Sequence, residues 1–490
     1  MAGFAGRFAD FVGEIVRVPG RLLTTSDAFF KAVGYRMELH AQAYRQAFSE
    51  GLRDEAAAKR AIEIINNPPE NIKMAAVDAG RYQTFTNSLS ETRIRGIGEI
   101  GQMGESARRK KRVGPYARVL IPFVRTPTNI MSFMFERTPL APLSRSIREE
   151  IAAGGARRDL ALGKIVTGST IMAVAADLTL SGQVTGAGPT DPQMRNIKRT
   201  TGWQPYSVKV GDTYYAYNRL DPIGGYLGLA ADVTEIIGQV DEATADQIAT
   251  AAILSIVQNM SSKTYMSGIT EFLDALDSSS TDPEANNWKI NRYFQRLAGS
   301  MVPASVANLE RVMSPEMSAT YGYIDRIKSR IPGFSEGLPP RRNIFGEPVV
   351  LEGGIGPDIM SPIYQSTDKK DPVADEIVRQ QTDVAMPRRV VNGVELTPQQ
   401  YDRYILLYSG EGLEGAKGVK LKDKLKETFA SSQYRQATDG PEGGKSLFIR
   451  SIFTAYRDAA KAQLIKEEPS LQTQIETEQR ERIEKLTGRR

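Results

Sequence analysis

Between Lys164 and Asp191 run 26 residues that carry a single charge, Asp177. The stretch reads IVTGSTIMAVAADLTLSGQVTGAGPT, in a chain of which 25% is charged. Something must take so apolar a segment out of water: a core, a partner or lipid. Its uncharged part, Ile165–Ala176, is 12 residues long, about 18 Å as a helix. That is short of a hydrocarbon core of roughly 30 Å. Extension to Thr190 is long enough, but it buries Asp177 and passes Gly182, Gly186 and Gly188. A permanent spanning helix is therefore not expected. Two readings stay open. A buried core helix is the default, and a helix that meets a bilayer in only one of two states is the other. On the second reading Ile165, Val166, Ile171, Met172, Val174 and Leu178 are the membrane contacts.

The rest of the 490-residue chain carries little chemistry. It has no cysteine and one histidine, His40. Without cysteine there are no disulfides, thiolate metal sites or thiol nucleophiles. One histidine excludes most histidine-based acid–base and metal mechanisms. No cofactor is expected. The length suggests about three domains at roughly 150 residues each. A formal charge of +5 is too dilute to argue for nucleic acid. One block is dense, however. Arg108, Arg109, Lys110, Lys111 and Arg112 are expected either as a solvated basic patch or as contacts to phosphates or anionic lipid head groups.

Helices dominate residues 1–112. Phe4, Phe8, Phe11, Ile15 and Val18 recur at helical spacing and predict an amphipathic helix, packed on a partner or lying on a membrane surface. The interruptions at Arg7, Asp10, Glu14 and Arg17 argue against a secretory signal. Thr25, Ser26 and Asp27 predict a cap for a helix to about Gly51. Its inward face is expected to be Phe30, Val33, Met37, Tyr44 and Phe48, with His40 as a satisfied buried group on the same stripe. Further helices are expected over 54–66, stopped by Asn66-Asn67-Pro68-Pro69, and over 71–89. Residues 116–143 hold prolines at 122, 127, 139 and 142 between apolar clusters. There Thr128-Asn129 predicts the cap of a short helix with Met131, Met134 and Phe135 on one side.

Past the apolar stretch, residues 203–210 and 213–218 flank Gly211-Asp212 and predict a hairpin with a type II′ turn. Helices are expected again from Tyr226 to Ala275, with Leu227, Ala230, Ala231, Val233, Ile236 and Ile237 on one face, and after Pro283. Residues 331–373 are rich in proline and glycine and read as an extended arm draped over a neighbour. Asn392-Gly393 is a strong hairpin signal. Thr397-Pro398 predicts a capped helix start, and two further helices follow, the last highly charged. The expected fold is mainly α: an elongated multi-segment helical chain with short β-hairpins and a long Pro/Gly-rich arm. Its expected regions are 1–112, 113–330, 331–385 and 386–490.

No catalytic motif is present: no GxSxG, HExxH, phosphate-binding loop or dinucleotide fingerprint. A paired-carboxylate site needs no histidine and stays open. Glu149-Glu150 and Glu467-Glu468 are the nominal pairs, although their charged helical contexts read as solvated faces.

Two segments carry a resemblance. RLLTTSDAFFKAVGYRMELHAQAYRQA (21–47) and YARVLIPFVRTPTNIMSFMFERTPLAPL (116–143) are similar to the C-terminal portions of very large virion proteins of tailed bacteriophages, the polyvalent proteins. VNGVELTPQQYDRY is similar to a recurrent piece of the same group. The likeness covers about residues 20–235, with a weaker patch near 390–410. It implies an internal virion protein, stored in the capsid and ejected to help form a conduit for the genome across the host envelope, and the lack of a catalytic motif makes a non-enzymatic one the expectation. The implied partners are other copies of the chain, other virion proteins of core, portal or tail, phage DNA, and the host membrane after release. A static component of core, portal or tail is the alternative. A cell-wall hydrolase with an unrecognised carboxylate site is the third reading. Larger relatives carry enzymatic domains, and none of their motifs occurs here, so no functional residue is carried over.

Overall fold

A computed structural model describes residues 2–89, 125–189, 191–220, 222–238, 313–350 and 363–487, with single positions at 102, 106, 255, 307 and 310. For 2–23 and 485–487 it describes the backbone alone. The fold is mainly α with a few short antiparallel strands. The chain divides into two compact units. The first takes the described residues up to Val174 and those of 222–226, and the second takes the rest.

The first unit begins with α1 (Ala2–Ser49), α2 (Asp54–Asn66) and α3 (Glu70–Gln83). Helix α2 has the expected bounds, because Pro68 and Pro69 cannot continue it. Helix α1 runs straight through the expected cap at Thr25–Asp27. There Asp27 accepts instead from Lys31, one turn on, at 2.6 Å. The inward face of α1 is not the one its large side chains predict. Leu39, Ala43 and Ala47 are buried, and Leu39 and Ala43 pack with Ala61, Ile64, Ile72 and Ala76. Phe30, Val33, Met37, Tyr44, Phe48 and His40 face outward. The reason is close approach. A Cβ on Gly80 of α3 would meet the Lys31 carbonyl oxygen at 2.9 Å, so α1 and α3 come together where there is no side chain. Small residues win that face because backbones so close leave no room for aromatic rings.

Helix α4 (Arg125–Phe135) starts before the expected Thr128-Asn129 cap. Asn129 is buried and donates to the carbonyls of Phe85 and Asn87, both at 3.0 Å, so it ties α4 to the segment after α3. Helix α5 (Arg145–Ala152) follows, then α6 (Gly155–Leu180), which carries the apolar stretch. The boundary between the units falls inside α6, after Val174.

The second unit holds α7 (Pro192–Thr200), capped by Asp191, the strands β1 (Ser207–Val210) and β2 (Thr213–Ala216), and most of α8 (Ile223–Ile237). The β1–β2 hairpin turns at Gly211 with φ +60°, as a type II′ turn needs. A third strand, β3 (Gln365–Thr367), pairs antiparallel with β2. It comes from the stretch read as an arm. That stretch is loop-rich, yet in its described part it folds onto its own unit. Ile344 and Phe345 are buried in the main core, and Pro372–Arg379 is a helix after α9 (Tyr323–Lys328), here α10.

The C-terminal part builds the largest core. Asn392 and Gly393 both have positive φ and join β4 (Val390–Val391) to β5 (Val394–Glu395). Thr397 and Gln400 form a reciprocal capping box at the start of α11 (Pro398–Tyr408). Helices α12 (Leu421–Ala430), α13 (Ser432–Gln436), α14 (Gly444–Glu467) and α15 (Pro469–Thr487) complete it. Leu407, Tyr408, Leu421, Leu425, Ile449 and Leu464 are fully buried there with Ile377 of α10. Apart from single positions, the helices expected beyond α8 as far as Ala275 and after Pro283 lie outside the described residues.

Candidate functional site

Helix α6 is the feature to which the sequence assigns a function. At 26 residues it is about 39 Å long. Among the described residues it is the one helix long and apolar enough to cross a membrane by length and composition. Only 17% of its most apolar 18-residue window is buried, which overturns the default reading of a core helix. The buried positions are Ala161, Gly168 and Ala175, seven residues apart, so a narrow line of small residues faces the protein. Around that line Ile165, Ile171, Met172 and Leu178 are half-buried. On the other side Val166 and Val174 are exposed, as are Leu160, Leu162 and Leu180. Of the six residues expected to meet lipid, Val166 and Val174 are thus already free. The other four flank the packed line. Asp177 is exposed and sits on the helix, so helicity continues past it to Leu180.

Polar groups hold α6 at two places. In the first unit, Lys164 donates to Glu136 at 2.9 Å and to the Tyr82 hydroxyl at 3.1 Å. The Tyr82 hydroxyl in turn donates to Glu136 at 2.7 Å, and Arg137 donates to Tyr82 at 3.0 Å. Lys164 and Glu136 are both shielded from water. Burial, and the Glu136 charge beside it, push the Tyr82 hydroxyl well above its ordinary range. Gly168 lies against the backbone of Arg137, where a Cβ would collide with the carbonyl.

In the second unit the chain leaves α6 through Gly182 and lies along β1. Thr185 and Ser207 exchange backbone and side-chain bonds, and Lys209 N–H donates to the Gln183 carbonyl at 2.7 Å. The next three amides go to carboxylates on α8. Gly186 and Gly188 donate to Glu235 at 2.8 and 2.9 Å, and Ala187 donates to Asp232 at 2.6 Å. Asp232 also accepts from the Tyr206 hydroxyl at 3.1 Å and is buried. Burial pushes the Asp232 carboxyl up to about 8, against the pull of the Ala187 amide. Leu178 packs beside this loop with Val184, Ala187, Tyr206, Tyr217 and Ala231.

No family model, curated protein or solved structure matches the chain.

The basic block Arg108–Arg112 lies outside the described residues. The nominal carboxylate pairs are occupied otherwise. Glu149 accepts from Arg145 at 2.8 Å, and Glu467 accepts from Arg403 at 2.8 Å, both on the surface. No group of three potential metal ligands occurs among the described residues. Sequence reasoning missed the Asp232–Glu235 pair. Its one signal was two acids one turn apart on an otherwise apolar helix, a spacing that surface helices also show.

Proposed function

We propose that this chain is a non-enzymatic virion protein of a tailed bacteriophage, stored inside the capsid and ejected to help form a conduit for the genome across the host envelope. The observation that carries the membrane half is α6, a helix of spanning length with Leu160, Leu162, Val166, Val174 and Leu180 exposed, while Lys164 and the loop after its C-terminus are held by polar groups. An apolar face of this length left in water is expected to be covered by lipid or a partner in the working state. The resemblance over residues 20–235 supplies the virion half. Quantifying the protein in particles before and after genome release tests the reading. An ejected protein disappears from the emptied particle, and one that stays sinks the proposal. Flotation with liposomes tests the membrane half: failure of residues 160–180 to gain protease protection at any pH removes it.

A static component of core, portal or tail is the second reading. The densely packed core around α11 and α14 favours it, because such a unit must unfold to pass a narrow channel. The particle experiment separates the two.

A further inference from the structure

The outward stripe of α1 is an apolar feature of the described residues that the proposed function leaves unexplained. Phe29, Phe30, Tyr44 and Phe48 are 62%, 59%, 39% and 47% exposed, and Met37 between them is 63% exposed. At roughly 200 Å² for an aromatic side chain, the four rings alone leave about 400 Å² uncovered. That already reaches the largest apolar patch usual on a monomer, about 300–600 Å². With Val33 and Met37 added, covering the stripe on two copies removes on the order of 1,000 Å², the size at which a specific interface begins. The opposite face of the same helix is filled by α2 and α3, and among the described residues the stripe stays exposed.

The spacing says what fits. Taken from Phe29, with Phe30 beside it, the stripe runs through Phe29, Val33, Met37, His40, Tyr44 and Phe48, separated by 4, 4, 3, 4 and 4 residues. That series reads the same in both directions. Two such helices laid antiparallel about a point between Glu38 and Leu39 therefore bring Phe29 opposite Phe48, Val33 opposite Tyr44, and Met37 opposite His40. Every stripe position meets a stripe position, which is the self-complementarity a two-fold interface requires. An anionic membrane would select a polar face rich in one sign. Here the flanks carry both signs, paired within the helix as Lys31 with Asp27 and Arg45 with Glu38.

We propose that the α1 stripe is the interface of an antiparallel two-fold dimer formed with a second copy of this chain. The proposal does not depend on the virion reading. The full chain is expected to sediment as a dimer at micromolar concentration. Met37→Lys places a cation opposite His40 of the second copy, where no acid can pair with it, and is expected to weaken association at least about tenfold. Because Met37 is exposed in the single chain, helicity by circular dichroism stays unchanged. His40→Leu removes the one polar position and is expected to tighten the dimer. The chain has no cysteine, so single introduced thiols report the geometry. Phe29→Cys mixed with Phe48→Cys is expected to cross-link under mild oxidation, and Phe29→Cys alone is not. A monomer at all concentrations, an association indifferent to Met37→Lys, or cross-linking by Phe29→Cys alone each overturns the proposal. So does recruitment of the stripe to anionic vesicles with no dimer formed.

Discussion

Asp232 and Lys164 are the residues on which the two attachments of α6 turn, and neither behaves as its type suggests. Asp232 is buried, with its carboxyl pushed up to about 8. Facing it are Glu235 on its own helix, Tyr206 and Tyr217 beside the loop, and Arg195 of α7. An acid whose folded value lies above its ordinary value near 4 favours the folded state most at low pH. That contribution is complete below the ordinary value and is lost as pH rises to about 8, at about 1.4 kcal/mol per unit of difference. Asp232→Asn keeps an acceptor for Ala187 and removes the titration. Its denaturation midpoint is expected to vary less between pH 4 and 8 than that of the parent, and an equal slope in both would refute the assignment. Lys164→Met leaves the buried Glu136 without its cation, at an expected cost of about 3–5 kcal/mol. Pairing it with Glu136→Leu should recover most of that loss, which a double-mutant cycle measures. His40 shows how far a residue type can mislead. Its place on an apolar stripe implied burial, but the stripe itself turned outward.

At the scale of elements, the sequence is read well where local chemistry decides. Asn66-Asn67-Pro68-Pro69 ends α2, Asn392-Gly393 turns β4 into β5, and Thr397 with Gln400 starts α11. Each signal is complete within a few residues. Strand β3 and the orientation of α1 were not legible, because each is set by what packs against it. Three residues of a Pro/Gly-rich stretch become a strand only because β2 offers an open edge. Helix α6 lies between these cases. Its helical spacing and apolar content are in the sequence, while its exposure is not. Asp177 is the exposed charge on its C-terminal half. If α6 faces lipid in its working state, Asp177→Leu should strengthen liposome flotation by about tenfold, since an acid costs about 2.5–3.5 kcal/mol at the centre of a spanning helix and less toward its end, where Asp177 lies. A face covered by protein instead would leave flotation unmoved.

For the whole molecule, stability is concentrated in the core around α10, α11, α12 and α14. Leu464 is fully buried there, and Leu464→Ala is expected to cost about 2–5 kcal/mol in chemical denaturation. Tyr408 in the same core has a hydroxyl that meets no protein partner. Tyr408→Phe is accordingly expected to leave stability unchanged or raise it by about 1 kcal/mol, because it deletes an unsatisfied buried group. A loss of 2 kcal/mol or more would show that the hydroxyl is bonded. The amino-acid sequence by itself determined the helical class, the turns and caps, the want of cysteine and histidine chemistry, and the one apolar segment. These follow from backbone propensity and composition, which act over a few residues. Only the tertiary structure decided which side of each helix faces in. Close approach of backbones at Gly34, Gly80 and Gly168, with Ala161 and Ala175 buried on the same line as Gly168, turned small residues inward and left the larger apolar faces of α1 and α6 to water. Periodicity locates a stripe on a helix, but the fit between neighbouring backbones selects which stripe is buried.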